Sequence, residues 1–323
     1  MPPETPALPL KGIKVLELGT LIAGPFCARM LAEFGADVIK IESPDGGDPI
    51  RTWRVLKDGT SLWWSVQARN KKSVTLNLKT PEGRAIARQL ALEADIIIEN
   101  YRPGVLERWD LGYEQLRQIK PALIMVRLSG FGQTGPMKDL PGFGAIGESM
   151  GGLRYVSGFA DRPPVRVGVS IGDSVAALHG VIGAMMALRH RDVTGGAAAG
   201  EGQMVDVALY ESVFNLMESL VPEYDQAGVV RERTGGSLPG IVPSNTYTTG
   251  DGENIVIAGK PAPTAVLRAV GRLGPWRESA DHAPQPALAA PPARTSDSHP
   301  PAPCAATPAP PRPGLDLPTQ PHN

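Results

Sequence analysis

Short apolar runs of strand character alternate with helix-length segments through the first 130 residues, and few folds accommodate that alternation. Leu10–Leu18 (LKGIKVLEL) has the apolar density of a short buried strand. Ile22–Phe34 places apolar residues at helical spacing, Gly35 ends that segment, and Val38–Glu42 is a second strand. A strand–helix–strand unit brings its strands together in parallel, and a parallel sheet is covered on both faces. The pattern recurs. Ser73–Leu78 (SVTLNL) alternates like a strand, Pro81 opens a helix to about Glu93, and Asp95–Glu99 (DIIIE) is strand-like. Tyr113–Lys120 follows as a short helix and Leu123–Ser129 as another strand. Together these segments predict an α/β fold with an open, doubly wound sheet.

The texture changes after Gly130. Residues 131–170 are rich in Gly and Pro, with one helix expected near Ala145–Leu153. A long helix is expected over Asp173–Arg191, where Val175, Leu178, Ile182, Met185 and Met186 recur at helical spacing. The loop Gly195–Gly202 leads to a strand at Met204–Val207, then a helix from Ala208 to about Leu220. Thr246–Thr249 and Asn254–Ala258 flank Gly250-Asp251-Gly252 and predict a hairpin. From Trp276 onward no periodicity remains, and proline makes up roughly a quarter of the residues. The expected division is therefore a sheet domain over 1–190, a linker and the start of a smaller domain over 191–260, and a disordered Pro/Ala-rich tail over 261–323.

Charge and cysteine content narrow the function classes. The 323 residues carry 32 Lys+Arg against 33 Asp+Glu, so no basic excess points to nucleic acid or an anionic membrane surface. Two cysteines, Cys27 and Cys304, cannot build a disulfide framework, and no CxxC pair offers zinc a site. The opening stretch MPPETPALPLKG lacks the regions of a secretion signal, and no apolar run reaches the length of a membrane span. A cytoplasmic location without metal is the expectation.

Several segments can carry chemistry. Gly195–Gly202 lacks the Lys-Ser/Thr of a phosphate-binding loop and precedes a strand, so it reads as a turn. Gly19–Pro25 sits between a strand and a helix, at the carboxyl edge where open sheets bind ligands, and serves equally as a tight turn or a binding loop. Arg69, Lys71 and Lys72 precede one strand and Lys79 follows it, while Asn100, Tyr101, Arg102 and Arg108 follow another. Such groups meet phosphates and bases at strand ends, or they are solvated loop charge. His179 lies six residues after Asp173 on one helix, so the two point to different faces. Asp173 itself stands in Gly172-Asp173-Ser174 where the long helix begins. Capping the helix is the simpler reading of that carboxylate, and holding it ionised as a nucleophile is the other.

In order along the chain stand GIKVLELGTLIAGPFCARMLAEFGADVIKIE, GDPIRTW, RNKKSVTLNLKTPEGR and ADIIIENYRPGVLERWDLGYEQL. LSGFGQTGP, PPVRVGVSIGDSVAALHGVIGAMMAL, GEGQMVDVALYE and the IVPSNTY region follow. From about residue 9 to 259 these segments resemble the family III CoA-transferases, the group of formyl-CoA transferase and the carnitine CoA-transferases. The resemblance implies a Rossmann-like domain plus a partial second domain, in dimers whose chains interlock. It places the catalytic aspartate on Asp173 and a CoA-lining loop on Ile22 and Ala23. It places further CoA contacts on Leu76–Lys79, Asn100, Tyr101, Arg102 and Arg108, and a loop beside the thioester on Pro141, Gly142, Phe143 and Gly144.

The implied reaction moves CoA from an acyl-CoA to a small carboxylic acid through aspartyl anhydride and aspartyl-CoA thioester intermediates, with no permanently bound cofactor. The alternative within the same fold is an acyl-CoA racemase, which places a His-Asp pair where this chain has Phe143-Gly144. Formyl-CoA transferase carries Gln at Ile22 and an acidic residue at Gly144, so a polar substrate such as oxalate is disfavoured. The family's closing segment is replaced by the Pro/Ala-rich tail, which implies a truncated or frameshifted end and an inactive chain as a third reading.

Overall fold

A computed structural model of the chain describes residues 8–238, 241 and 244–258. Six parallel strands form its central sheet: β1 (Lys14–Glu17), β2 (Asp37–Glu42), β3 (Lys71–Thr75), β4 (Ile96–Glu99), β5 (Ile124–Ser129) and β6 (Met204–Ala208). They lie in the order β3-β2-β1-β4-β5-β6, so the direction of strand addition reverses between β1 and β4. Helices α1 (Ala23–Glu33), α2 (Pro81–Glu93), α3 (Tyr113–Arg117), α4 (Gly144–Met150), α5 (Ile171–Thr194) and α6 (Leu209–Phe214) surround the sheet or lead to its edge.

Strand alternation assigns the two cores. Val15, Ile96, Ile98, Ile124, Val126 and Leu128 pack with Cys27 and Ala28 of α1 and Ala176 and Ala184 of α5. The intervening residues Leu16, Ile97 and Met125 pack on the other face with Ala87 and Ala91 of α2 and Leu116 of α3. Local signals bound the helices close to where the sequence suggests. Gly35 adopts φ +102°, which lets the Gly35 and Ala36 amides bond back to the Ala32 and Leu31 carbonyls. The Thr80 hydroxyl accepts the Gly83 N–H at 3.1 Å and opens α2.

Helix α5 has two unlike sides. A Cβ at Gly180 would come within 3.0 Å of Val126 Cγ1, and one at Gly183 within 2.4 Å of Val205 Cγ1, so the helix backbone lies directly on β5 and β6. Its outer side carries Leu178, Ile182 and Met186, which are 41%, 52% and 67% exposed. By length and composition alone this helix is apolar enough to cross a membrane, contrary to the expectation from sequence. The exposed side is lined by these large apolar residues, whereas the sheet-facing side is mostly small (Ala176, Ala177, Gly180, Ala184 and Ala187) with Val175 and Leu188 among them.

The predicted α/β doubly wound fold is what the structure shows, with shifts in detail. The strand expected at Ser73–Leu78 runs over Lys71–Thr75, because Lys71 enters the sheet as a paired buried charge rather than preceding it. The first strand is confined to Lys14–Glu17, after Gly12 turns the chain at φ +94°. The helix expected over Ala145–Leu153 breaks at Gly151–Gly152 into Gly144–Met150 and Leu153–Val156. The helix expected to reach Leu220 stops at Phe214, and a separate one spans Leu220–Ala227. Strand β6 belongs to the sheet although it lies beyond residue 190, the domain edge expected from sequence. The hairpin forms as Ser244–Thr248 against Asn254–Ala258. The expected tail over 261–323 lies outside the described residues.

Four buried charges tie the first three strands together. Lys40 on β2 reaches Glu17 of β1 at 2.8 Å and Asp48 at 2.9 Å, and Lys71 on β3 reaches the other Glu17 oxygen at 2.6 Å. Both lysine side chains are almost wholly buried. Burial pushes the Lys40 ammonium down, but Glu17 and Asp48 outweigh it and hold its pKa above the ordinary lysine value. For Lys71 burial prevails and the pKa falls. Removing one member of such a set strands the others without water. Lys40→Met is expected to cost about 3–5 kcal/mol of unfolding free energy, measured by urea denaturation.

Candidate active site

Open sheets of this order form a crevice where strand addition reverses, because the loops after the two flanking strands diverge. Here those are the Gly19–Ile22 loop after β1 and the Asn100–Arg102 loop after β4. Asn100 joins them: its Oδ1 accepts the Thr20 N–H at 2.8 Å, and its Nδ2 donates to the Thr20 carbonyl at 2.8 Å. The approach needs glycine, since a Cβ at Gly19 would lie 3.0 Å from both Asn100 Oδ1 and Gly24 Cα. Ile22 and Ala23 are buried at the start of α1. Leu21 adopts φ +65°, a left-handed conformation rare for a leucine.

The residues expected to contact CoA fall along this carboxyl edge. Lys79, Arg102 and Arg108 are exposed, while Leu76, Asn100 and Tyr101 are half-buried. Leu76 and Tyr101 pack against the same core face, where Tyr101 meets Trp109 edge-on with ring centroids 5.4 Å apart. Arg102 and Arg108 bracket Gly104, which turns the chain at φ +80°. Asn100 differs from expectation in one respect: its carboxamide is already bonded to the Thr20 backbone, so it holds a loop before it meets any ligand.

The second half of the edge gathers at the end of β5. Gly130 and Gly142 touch backbone to backbone, as a Cβ on either would sit 2.4–2.5 Å from the other's Cα. This contact seats the Pro141–Gly144 loop against β5. The loop leads into α4, whose first residue, Gly144, lies under the Asp173 carboxylate. A Cβ there would be 2.1 Å from Asp173 Oδ2. Phe143 is exposed.

Asp173 does not cap its helix. Ser170 is the N-cap residue of α5, its side chain makes no capping bond, and Asp173 stands in the first turn. Glu148 of α4 comes nearer to capping: it is 1% exposed, accepts the Gly172 N–H at 3.5 Å and pairs with Arg154 at 2.9 Å. Asp173 is half-buried, and its pKa is raised to about 6. Burial is the main cause and the Glu148 charge adds to it, while Arg166 opposes both. Arg166 donates to the Ser170 hydroxyl at 3.0 Å. His179 lies away from this cluster, with Nδ1 2.9 Å from the Val175 carbonyl and Nε2 3.1 Å from Asn215 Nδ2.

A carboxylate with a pKa near 6 is more nucleophilic than an ordinary aspartate and is still mostly ionised at neutral pH. The sequence singles out Asp173; Arg166 stands in the same PPVRVGVSIGDS segment without a role assigned to it, and Glu148 lies outside the matching segments. The tuning has a thermodynamic signature. A carboxyl whose folded pKa exceeds its unfolded value of 3.8 opposes folding as pH rises from about 4 to 6, and the penalty persists above that range. Asp173→Asn is therefore expected to stabilise the fold at pH 7 by about 1–2 kcal/mol and to confer no gain below pH ~4, measured by thermal unfolding across that range. A capping aspartate would show the opposite sign.

Comparison with known proteins places this edge in context. The profile of CoA-transferase family III matches residues 10–294. Succinyl-CoA–D-citramalate CoA-transferase of Chloroflexus aurantiacus is 52% identical over 275 residues, covering 85% of this chain and 67% of that one. The beta subunit of succinyl-CoA–L-malate CoA-transferase from the same organism is 45% identical over 257 residues, covering 79% and 62%. The chain thus spans about two thirds of the length of these relatives or slightly less. Among solved structures, a CAIB/BAIF family protein from Brucella suis superposes with a TM-score of 0.72 at 36% identity, covering 79% of this chain and 67% of that one.

Proposed function

This chain belongs to CoA-transferase family III, and from that premise we propose that it transfers CoA between dicarboxylic acids with Asp173 as the covalent nucleophile. The observation that carries the reading is the Asp173 carboxylate itself. It is half-buried, raised to about 6 and seated on Gly144 at the carboxyl edge of a doubly wound sheet.

The steps follow from carboxylate and thioester chemistry. Asp173 attacks the thioester carbonyl, forming a mixed anhydride and releasing CoA as thiolate. The thiolate attacks the Asp173 carbonyl, giving an aspartyl-CoA thioester and the free donor acid. The acceptor carboxylate then attacks that thioester, expelling CoA thiolate and forming a second anhydride. Thiolate attack on the acceptor's carbonyl releases the new acyl-CoA and restores Asp173. Each step exchanges one activated acyl bond for another, so no external energy source is needed. Phe143 and Gly144 offer no proton-transfer group, which favours this reaction over racemisation.

The relatives' names pair succinyl-CoA with citramalate or malate, and all three acyl chains carry a second carboxylate. Arg166, the cation that acts on Asp173, supports the same substrate class here. Ile22, Ala23, Leu76, Lys79, Arg102 and Arg108 form the CoA-facing side of this reading, together with Tyr101 and the 142–144 loop. A cytoplasmic homodimer belongs to it too: the Cys27 thiol is buried and free, and the apolar outer side of α5 suits a second copy.

Incubation with succinyl-CoA followed by hydroxylamine is expected to convert Asp173 to its hydroxamate, seen by peptide mass mapping. The same label in Asp173→Asn would refute the assignment. Arg166→Gln is expected to lower kcat/KM for succinyl-CoA by roughly 30-fold while changing that for butyryl-CoA by less than about 3-fold. Equal losses for the two donors would remove Arg166 from substrate selection.

A further inference from the structure

The loop from Gly19 to Pro25 is held by side chains from four separate segments. Lys40 Nζ donates to the Gly19 carbonyl at 2.7 Å, and Lys71 Nζ to the Pro25 carbonyl at 2.7 Å. Asn100 takes both polar groups of Thr20's backbone. Asp48 accepts the Leu21 N–H with both carboxylate oxygens, at 3.0 and 3.2 Å. Asp48 is buried, accepts the Ile50 N–H at 3.0 Å and pairs with Lys40 at 2.9 Å. Its own amide donates to Glu42, whose carboxylate also binds Arg51 through two nitrogens at 2.7 and 2.8 Å. Burial opposes ionisation of Glu42, but the Arg51 and Ser73 hydrogen bonds overcome it and lower the pKa to about 2.

Leu21 is where this anchoring meets resistance. Its φ of +65° is a conformation that glycine takes freely and leucine avoids. Glycine stands nearby at positions 19 and 24, but not here. A sparsely populated conformation persists only where its surroundings over-determine it, and such positions gather at ligand sites. This one lies in the crevice loop, directly before Ile22 and the first turn of α1.

We propose that Asp48 is a positioning residue for acyl-CoA: paired with Lys40, it holds Leu21 left-handed and so sets the crevice loop in the shape that receives the thioester's pantetheine arm. The proposal rests on the CoA-transferase reading above and adds a residue to it. Asp48 touches no substrate; it acts through the loop backbone.

Affinity for CoA, measured by isothermal titration on the full chain, separates the possibilities. Asp48→Asn keeps the size of the side chain and removes its charge. It is expected to weaken CoA binding roughly 10-fold, and in turnover to raise KM while kcat changes less than about 3-fold. Adding Leu21→Gly to Asp48→Asn is expected to restore affinity to within about 3-fold, because glycine enters the left-handed turn without the steric cost a leucine meets. Leu21→Val leaves every buried charge in place but resists the turn, and is expected to weaken binding as Asp48→Asn does. This arm covers the case in which Asp48→Asn fails to fold. Unchanged affinity in Leu21→Val, or a loss in Asp48→Asn that Leu21→Gly does not reverse, overturns the proposal and leaves the transferase reading standing. Failure of the unaltered chain to bind CoA overturns the reading on which both rest.

Discussion

Two lysines and two carboxylates buried together under the β1–α1 loop are the constraint on which the rest of this structure depends. Glu17, Lys40, Asp48 and Lys71 come from three adjacent strands and one loop, and none can be desolvated favourably alone. Apolar packing alone would hold β1, β2 and β3 together equally well in several side-chain arrangements. Paired charges do not allow that latitude, because each ammonium must face its carboxylates in one geometry. The cluster also directs two lysine donors to carbonyls at both ends of the loop, so strand register and loop shape are set by the same contacts.

The other half of the edge is organised by the absence of side chains. Gly130 and Gly142 bring two backbones into contact, and Gly144 leaves the Asp173 carboxylate room that any side chain would fill. The electrostatics follow from that closeness. Burial and the Glu148 charge raise Asp173, while Arg166 keeps the shift from going further. The carboxylate is thus partly desolvated yet still mostly ionised near neutrality. One half of the crevice is pinned by charge and the other is shaped by glycine.

The doubly wound sheet is legible in the sequence because its signals are local. The run Ile96-Ile97-Ile98 is buried on both sides, and Pro81 and Gly35 mark helix boundaries by their own backbone chemistry. Strand β3 starts two residues before its apparent beginning because it opens with Lys71-Lys72, and only a partner distant in sequence explains a lysine inside a sheet. Asp173 stands out through its Gly-Asp-Ser setting, yet its place inside the first turn rather than at the cap is a matter of where Ser170 falls. Arg166 shares the quoted PPVRVGVSIGDS segment with Asp173 and Glu148 lies outside any such segment, but the meaning of both comes only from what α4 and the loop before α5 bring near Asp173. Asp48 lies within the GDPIRTW motif, but its role depends on a backbone angle 27 residues away at Leu21.

Helix α5 meets the sheet through Gly180 on Val126 and Cys27 and through Gly183 on Val205. The helix backbone sits so close there that a Cβ at either position would crowd the sheet. Asp173 rides on the same helix two turns earlier, roughly 10 Å along its axis. The helix is thus a stiff lever, with its fulcrum in the apolar core and Asp173 at its far end. Close-packed interiors transmit displacement rather than absorb it. A methyl group gained or lost at Val126 or Val205 therefore acts on the seat of the helix that carries Asp173, so packing in the core and the placing of that carboxylate are not independent in this chain.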